Sequence, residues 1–261
     1  GIKLSISTML KNSQDTNKAG NGAIVIGATS RISCSLLERL ANNASFTKIV
    51  AISRQFSDKA EISFGHKVSC FQSDYSEESI SKICEQLRSH KGNISHIFIC
   101  NGILHDSHLQ PEKRIEDIKP ENLHKVFEVN AIIPMLWVKC LKPVLANEQG
   151  CVVTVFSARI GSIEDNHKGG WYAYRASKAA LNMLLKTAAI AYERVVKGTR
   201  FLVFHPGTTD TPLSRPFQKY VSQNKLFKPE FVADQLLALI EGNSLDKSIQ
   251  FYGWDGEEIP W

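Results

Sequence analysis

A tyrosine and a lysine in the second half of the chain have a spacing that suits proton transfer. Tyr174 and Lys178 are four residues apart in a segment with a helical pattern, so they share one face of a helix. A phenol with a pKa of about 10 is a poor base at neutral pH. An ammonium about 4 Å away, at an effective dielectric constant of about 20, would favour the phenolate by up to about 4 kcal/mol. We therefore expect this pair to exchange a proton with a carbonyl or alcohol oxygen near neutral pH.

A turn near the start of the chain could hold the phosphates of a nucleotide. An apolar run at 23–26 leads into Gly27, and an amphipathic helix continues from Ser33. Free N–H groups and the positive end of a helix dipole favour a pyrophosphate at such a turn. Only the first glycine of the usual pattern is present, because Arg31 and Ser33 occupy the other two positions. By itself the motif is weak, since a generic turn between a strand and a helix explains it about as well.

Two arginines indicate which dinucleotide would bind. The second apolar run ends at Arg54, where enzymes that prefer NAD usually place a carboxylate for the ribose 2′-hydroxyl. Arg54 would instead attract a 2′-phosphate, and Arg31 could add a second cation. The sequence therefore favours NADP, with NAD as the alternative, although either arginine could also be a plain surface cation.

These residues need a framework, and the hydrophobic pattern predicts one. Short β-rich runs alternate with helical patterns along the whole chain. Continuous apolar strands separated by helices require parallel pairing, because each strand is buried on both faces. We therefore predict a single α/β Rossmann-fold domain over 22–261, with a doubly wound seven-stranded parallel sheet and helices on both faces. The strands are expected at 23–27, 48–53, 67–72, 96–101, 151–157, 200–205 and 248–252, and the helices at 33–42, 77–90, 121–140, 172–197 and 231–242.

Length and composition agree with this framework. A chain of 261 residues with 43% hydrophobic and 22% charged residues is globular, and one domain is the default. The formal charge of +5 is spread along the chain, so it supports neither a nucleic-acid partner nor a membrane partner. We interpret residues 1–21 as a flexible N-terminal extension and 208–229 as a candidate substrate lid.

The cysteines and the apolar runs predict a location. None of the six cysteines forms a CxxC pair, so we expect reduced thiols. No apolar run approaches the roughly 18 residues of a membrane span, and residues 1–20 lack the apolar core of a secretory signal. These features favour a cytoplasmic protein.

Further elements complete a resemblance to the short-chain dehydrogenase/reductase family. They stand in the family's order over about residues 23–261: the turn at Gly27, the pair Asn101-Gly102, Asn130, Ser157, the Tyr174/Lys178 pair and the Pro206-Gly207 turn. Within the family the chain looks most like the C-factor and sniffer-type carbonyl reductases, on the segments 101–104, 160–166, 172–178 and 254–261.

The resemblance implies catalytic roles. Tyr174 would exchange the proton, while Lys178 would lower its pKa and bind the nicotinamide ribose. Ser157 would hydrogen-bond the substrate oxygen, and Asn130 would hold a water of a proton relay near Lys178. Ser162, which is twelve residues before Tyr174 rather than seventeen, competes with Ser157 for its role. We favour Ser157, because it stands at the end of a predicted strand and the glycine that the family pattern leads us to expect follows four residues later.

The resemblance also implies a cofactor site. Thr211 would contact the nicotinamide carboxamide, and Asp74 the adenine. The other expected cofactor-binding positions are Gly27, Thr29, Ser30, Arg31, Ile32, Arg54, Asn101, Gly102, Lys178, Pro206 and Gly207. In the family's Asn-Ala-Gly element this chain has Cys100 in place of the first asparagine.

These patterns predict an NADP-preferring oxidoreductase that reduces a carbonyl compound or oxidises the corresponding alcohol. The alternative is a catalytically silent signalling or nucleotide-sensing protein of the same fold. The helices at 121–140 and 172–197 are those that relatives use to pair, so a homodimer or homotetramer is possible. We expect no metal, and interpret His105, Asp106 and His108 as a solvated loop.

Three aromatic residues of the candidate lid have two interpretations. Phe217, Tyr220 and Phe227 could line a substrate pocket, or they could pack against one another within the lid.

Overall fold

A seven-stranded parallel sheet lies at the centre of the computed structural model, which describes residues 20–57, 64–90, 94–145, 150–242 and 245–261. The strand order is β3-β2-β1-β4-β5-β6-β9, so the chain winds outward from β1 in both directions. The strands of this sheet are β1 (Asn21–Ile26), β2 (Phe46–Ser53), β3 (Val68–Gln72), β4 (Ile94–Ile99), β5 (Cys151–Phe156), β6 (Thr199–His205) and β9 (Ile249–Gly253). Two short strands, β7 (Thr208–Thr209) and β8 (Leu226–Phe227), pair with each other outside it. The predicted fold class is confirmed.

Helices cover both faces of the sheet. They are α1 (Arg31–Asn42), α2 (Glu77–Leu87), α3 (Pro120–Phe127), α4 (Ile133–Cys140), α5 (Lys142–Leu145), α6 (Tyr172–Val195) and α7 (Pro229–Glu241). Successive side chains of a strand point to opposite faces. In β1, Ile24 and Ile26 therefore join the core under α2, α4 and α6, whereas Ala23 and Val25 join the core under α1 and α7. A strand buried on both faces is apolar at every position, which is why the run at 23–26 shows no alternation.

The helix predicted at 121–140 is interrupted. A π-helical turn at Glu128–Ile132 separates α3 from α4. Pro134 has no N–H to give to the carbonyl four residues earlier, and its ring crowds that carbonyl. The wider turn absorbs the mismatch, and such turns are frequent at functional sites. It places Asn130 in the interior with no exposed surface.

The segment at 208–229 has more structure than the irregular stretch that its sequence predicts. Its ends pair in parallel, with Thr208 opposite Leu226 and Thr209 opposite Phe227. Two 3-10 turns, Arg215–Tyr220 and Gln223–Lys225, lie between them. The segment is therefore a closed loop with both ends fixed beside the sheet. We call residues 208–229 the lid.

At the start of the chain, β1 begins at Asn21, one residue inside the predicted extension, whose residues 1–19 lie outside the described part. In the described part of the chain, no helix has both the length and the apolar character needed to cross a membrane.

Candidate active site

A cavity of about 710 Å³ opens where β5 and β6 end. Ser157 follows β5, the Pro206-Gly207 turn follows β6, and both line this cavity together with Tyr174. The cavity extends to Ile32 in the first turn of α1. In doubly wound sheets, ligands bind outside the carboxyl ends of the strands, and this cavity occupies that place.

Helix α6 positions the predicted proton-transfer pair. Tyr174 lines the cavity, and Lys178 is only 3% exposed. The Lys178 ammonium lies 5.8 Å from the centre of the Tyr174 ring, and its Nζ donates to the carbonyl of Phe156 at 3.1 Å. A Cβ at Gly161 would lie 2.7 Å from Cβ of Lys178. Only a glycine there therefore lets the turn after β5 pack directly against α6.

Burial dominates the electrostatics of this pair. It raises the pKa of Tyr174 to about 12 and lowers the pKa of Lys178 to about 8. The expectation that the ammonium brings the phenol near neutrality is therefore wrong for this structure. The cost of desolvating a buried phenolate outweighs the attraction of the ammonium. At neutral pH Tyr174 carries its proton, which is the state needed to donate to a carbonyl oxygen.

Asn130 joins three segments at the back of the cavity. Its Oδ1 accepts from the backbone N–H of Ile103 at 2.7 Å, and its Nδ2 donates to the Ile103 carbonyl at 2.9 Å. Nδ2 also donates to Oγ of Ser177 at 3.0 Å, and that hydroxyl donates to the Tyr174 carbonyl at 2.8 Å. The π turn, the loop after β4 and helix α6 are thus held in one arrangement. The role of Asn130 in a water relay stays a prediction.

The two candidate serines are in different environments. Ser157 lines the cavity, and its hydroxyl donates to Oδ1 of Asn182 at 2.8 Å. Ser162 accepts from the backbone N–H of Asp165 at 3.1 Å and is not among the described residues that line the cavity. The geometry therefore favours Ser157.

Asn182 is a site residue that the sequence patterns did not single out. It is 4% exposed, and its Nδ2 has no hydrogen-bond partner among the described residues. The signal was present in the sequence, because Tyr174, Lys178 and Asn182 follow one another at helical spacings of four on a single face.

The turn at Gly27 has the conformation that its sequence predicts. Gly27 has a φ of +76°, and a Cβ there would lie 3.3 Å from the backbone nitrogen of Asn101. Ser30 caps α1 by accepting from the N–H of Ser33 at 3.2 Å. The N–H groups of Arg31 and Ile32 are left without intrahelical partners, as the first N–H groups of any helix are. These groups can receive a pyrophosphate.

Two departures from the family pattern meet behind this turn. Ser33 is fully buried, and its Oγ accepts from Oγ of Ser30 at 2.7 Å. Burial raises the pKa of the Cys100 thiol to about 12, and a hydrogen bond with Ser33 opposes the rise. The residue that replaces the third glycine thus contacts the residue that replaces the first asparagine.

The other predicted cofactor residues follow the same edge of the sheet. Arg54 is exposed just after β2, and Asp74 is exposed just after β3. Asp74 accepts from the N–H of Ser76 at 2.9 Å, and this bond holds the pKa of its carboxyl below the usual value. Thr29 lies 2.9 Å from Ser53 through their hydroxyl oxygens. These positions do not line the 710 Å³ cavity, but lie beyond its Ile32 end.

Two glycines bring backbone close to the cavity. A Cβ on Gly102 would lie 3.4 Å from Nζ of Lys178. Gly207 has a φ of +72°, and a Cβ there would lie 2.8 Å from the ring of Phe227. Thr211, at the start of the lid, lines the cavity beside Gly207. The residues present along this path therefore fit an extended dinucleotide.

Glu112 is a second residue that the sequence patterns did not reveal. It is 2% exposed, its Oε2 accepts from the N–H of Ala173 at 3.2 Å, and its carbonyl accepts from the N–H of Trp171 at 2.6 Å. Trp171, the residue before α6, has a φ of +55° and provides no side-chain cap of its own. A carboxylate from 61 positions away therefore caps the helix that carries Tyr174. No local sequence signal marks a cap that comes from so far along the chain.

Aromatic contacts join the lid to the site. The ring of Trp171 lies 6.2 Å from the ring of Tyr174 and 5.0 Å from that of Phe217. His105 lies 5.7 Å from Phe217, and its Nε2 donates to the carbonyl of Leu213 at 2.8 Å. Of the three lid aromatics, Phe217 and Tyr220 line the cavity.

Phe227 and the remaining loop residues have structural contacts. The Phe227 ring packs 4.3 Å from that of Trp254, so it belongs to the packing of the lid on the domain. Asp106 accepts from the N–H groups of His108 and Leu109 at 2.7 Å each.

Comparison with known proteins agrees with this geometry. A family model described as enoyl-(acyl carrier protein) reductase matches residues 42–236, about three quarters of the chain. The chain belongs to the short-chain dehydrogenase/reductase family. It is therefore an oxidoreductase by family.

Individual relatives place the chain near the expected group. It is 31% identical over 147 residues to the C-signal of Myxococcus xanthus, covering 56% of this chain and 82% of that one. The carbonyl reductase Sniffer of D. melanogaster has a similar fold, with a TM-score of 0.78, 20% identity and coverage of 93% of this chain and 100% of that one. The NADPH-bound carbonyl reductase from chicken fatty liver has a TM-score of 0.77 at 21% identity, with 93% and 99% covered. Membership of the C-factor and sniffer-type group, expected from the sequence, is confirmed.

Proposed function

We propose that this protein is a carbonyl reductase that uses NADPH and donates the proton from Tyr174. The observation that carries the proposal is that Tyr174 and Ser157 line one cavity that also reaches the first turn of α1, while the buried Lys178 lies directly behind Tyr174. When bound, the nicotinamide would supply the hydride to the carbonyl carbon. The chain's own residues would bind, orient and protonate the substrate.

The states of the two titratable residues fit reduction. Tyr174, with its pKa raised to about 12, holds a proton to give to the substrate oxygen as negative charge develops there. Donation leaves a phenolate, which the nearby Lys178 ammonium stabilises. Ser157 would donate a hydrogen bond to the substrate oxygen, for which its hydroxyl must turn from Asn182, the acceptor that it has in this structure. Lys178 and Asn130 would transmit a proton to refill Tyr174.

NADP is favoured over NAD by charge. Arg54 and Arg31 are both exposed at the adenosine end of the path, where a 2′-phosphate would make charge-assisted hydrogen bonds. The carbonyl reductase from chicken fatty liver, whose fold is similar, holds NADPH in its crystal structure, which supports the same choice by likeness. We also propose a cytoplasmic location, since Cys34, Cys84, Cys100, Cys140 and Cys151 are free thiols.

A pairing surface is part of the proposal. Met183 and Ile190 on α6 are 68% and 43% exposed, and Ile132, at the end of the π turn, is 51% exposed. A homodimer or homotetramer that covers this apolar face would remove it from water.

The alternative function is signalling or nucleotide sensing without turnover. One relative of this chain is named C-signal, which is the reason to test this alternative. Because a scaffold has no need for a buried lysine beside a tyrosine in a cavity, the geometry favours the enzyme. The test is NADPH oxidation with a panel of aldehydes and ketones, comparing wild type with Tyr174→Phe. We expect the variant to lose turnover by about 10²–10⁴-fold, the range of general acid–base contributions, and to keep NADPH binding measured by tryptophan fluorescence.

The matched control is Tyr172→Phe. Tyr172 is on the same helix, two residues earlier, and is not among the described residues that line the cavity. It should keep full turnover. Full turnover by Tyr174→Phe would refute the assignment of the acid, and failure of NADPH and NADH to bind at millimolar concentration would favour the alternative function.

A further inference from the structure

We propose that the substrate of this site is an amphipathic carbonyl compound, with an apolar or aromatic body that lies against the lid and a carboxylate or other anionic group that lies against the loop at 159–175. This inference rests on the proposed function, because it concerns the same cavity. It assigns a different part of the substrate to each wall of that cavity.

The lid supplies an apolar wall. Leu213, Phe217, Tyr220 and Val221 all line the cavity from the lid. Phe217 is held between Trp171 and His105 at ring distances of 5.0 and 5.7 Å. An aromatic ring or a branched chain placed here would bury apolar surface and stack on fixed rings.

The wall formed by the loop at 159–175 has an excess of positive charge. Arg159, Lys168 and Arg175 line the cavity, and Asp165 is the one carboxylate among the described lining residues. Asp165 pairs with Arg159 at 3.6 Å. Three cations and one anion leave a net charge of about +2 on this wall, apart from the two histidines.

The remaining two cations have no carboxylate within salt-bridge distance among the described residues. Nε of Arg175 donates to the carbonyl of Gly170 at 2.8 Å, and its Nη2 donates to the carbonyl of Gly169 at 2.9 Å. Both partners are neutral, so the charge of Arg175 is not cancelled by them. Lys168 is exposed, and in the described part of the chain it forms no salt bridge. An anion at the mouth of the cavity would be attracted by both groups.

The reactive group lies between the two walls. Tyr174 directly precedes Arg175 and is 6.2 Å from Trp171 by ring centres, and Trp171 contacts the lid. Tyr174, Phe217 and the three cations line one cavity, so a substrate whose carbonyl meets Tyr174 would share that cavity with both the lid and the cations. The anionic group takes no part in the reaction, in which the carbonyl carbon gains a hydride and the carbonyl oxygen gains the proton of Tyr174.

A pair of test substrates isolates the charge. The substrates are 3-(4-formylphenyl)propanoate and its amide, which have the same length and ring. Two methylene groups insulate the aldehyde from the charged end. With NADPH at low ionic strength, we expect kcat/KM for the acid to exceed that for the amide by about tenfold, since each exposed pair contributes about threefold. The preference should decline with added salt.

Variants identify the cations. Lys168→Gln removes a cation that has no carboxylate partner among the described residues, and Arg159→Gln lowers the net charge by one and leaves Asp165 without its partner. Each should lower kcat/KM for the acid about threefold and leave that for the amide unchanged. The control is Lys197→Gln, because Lys197 is equally exposed but lies off the cavity. It should leave the ratio of acid to amide unchanged.

The outcomes separate the two proposals. Equal kcat/KM for acid and amide, or a ratio that Lys168→Gln and Arg159→Gln do not alter, would overturn the anionic substrate while leaving the reductase intact. Absence of turnover with every aldehyde, although NADPH binds, would overturn the proposed function and this inference with it. An acid preference that decreases with each cation removed would support it.

Discussion

The side of the site that helix α6 forms, which we call the helical wall, and the lid are built in opposite ways. On the helical wall, Asn130 and Lys178 lie behind the residues that line the cavity. Asn130 has no exposed surface, Lys178 is 3% exposed, and both hold backbone groups by hydrogen bonds. On the lid wall, Tyr220 is 76% exposed and Leu213 is 38% exposed. Proton transfer depends on distances held to a fraction of an ångström, whereas an apolar surface can adapt to a ligand. The difference indicates that chemistry belongs to the first wall and substrate choice to the second.

The largest effect should come from removing the charge on the helical wall. Lys178→Met fills similar space without an ammonium, so the phenolate that Tyr174 becomes loses its stabilisation. We expect kcat to fall by about 10²–10⁴-fold, measured by NADPH oxidation. The matched Lys186→Met is on the same helix in an exposed position and should stay near wild type. Near-normal kcat in Lys178→Met would show that this wall does not carry the chemistry.

The pH profile should report the same group. Tyr174, with a pKa of about 12, stays protonated through the neutral range. Lys178, with a pKa of about 8, is charged below that pH and neutral above it. Reduction should therefore be constant from about pH 6 to 7.5 and decline by up to about tenfold per pH unit above 8. A profile that remained flat to about pH 10 would contradict the role of the ammonium.

The cap of the catalytic helix should have a smaller effect. Glu112→Ala removes the acceptor for the N–H of Ala173, which should lower the free energy of unfolding by about 0.5–2 kcal/mol and reduce kcat. Glu112→Gln keeps an oxygen in that place. It also removes a charge whose second oxygen is buried without a partner among the described residues, so we expect its stability and kcat to stay near wild type.

Urea unfolding and steady-state kinetics on both Glu112 variants provide the check. Equal loss of kcat in Glu112→Gln and Glu112→Ala would mean that the negative charge, rather than the cap, matters to Tyr174.

The lid should give the smallest effect and a different kinetic signature. Phe217→Ala removes two ring contacts, each of which contributes about 0.5–1.5 kcal/mol. We expect KM for an aromatic aldehyde to rise severalfold while kcat changes less than about twofold. A fall in kcat as large as that of Lys178→Met would erase the distinction between the two walls.

Sequence patterns predicted the sheet and its helices well, because the spacing of apolar residues reflects which side chains each element buries. The main error was the helix at 121–140, where Pro134 forces a π turn that widens the helix at Glu128–Ile132. Pro134 was visible in the sequence. Whether a proline ends, kinks or widens a helix depends on what packs around it, and that information is not local.

For the site, the sequence chose Tyr174 and Lys178 but misjudged their electrostatics. Spacing showed that both side chains share a face, but not how deeply that face is buried. Burial then shifted the two pKa values away from the values needed for a neutral-pH phenolate. Glu112 was missed because its partner Ala173 is 61 positions away in the chain. Asn182 was missed although its helical spacing from Tyr174 and Lys178 is visible in the sequence.

By itself, the sequence determined the fold class and the order of the strands along the chain, and it predicted Tyr174 and Lys178 as the proton-transfer pair. Each of these depends on local periodicity or on spacing within one helix. The sequence also favoured Ser157 over Ser162, but only the tertiary structure showed that Ser157 lines the cavity. It also brought Arg159, Lys168 and Arg175 to the same cavity as the lid. Burial, charge balance and hydrogen-bond partners depend on which distant segments of the chain are in contact. Those contacts form only through the packing of the whole domain, so no local pattern predicts them.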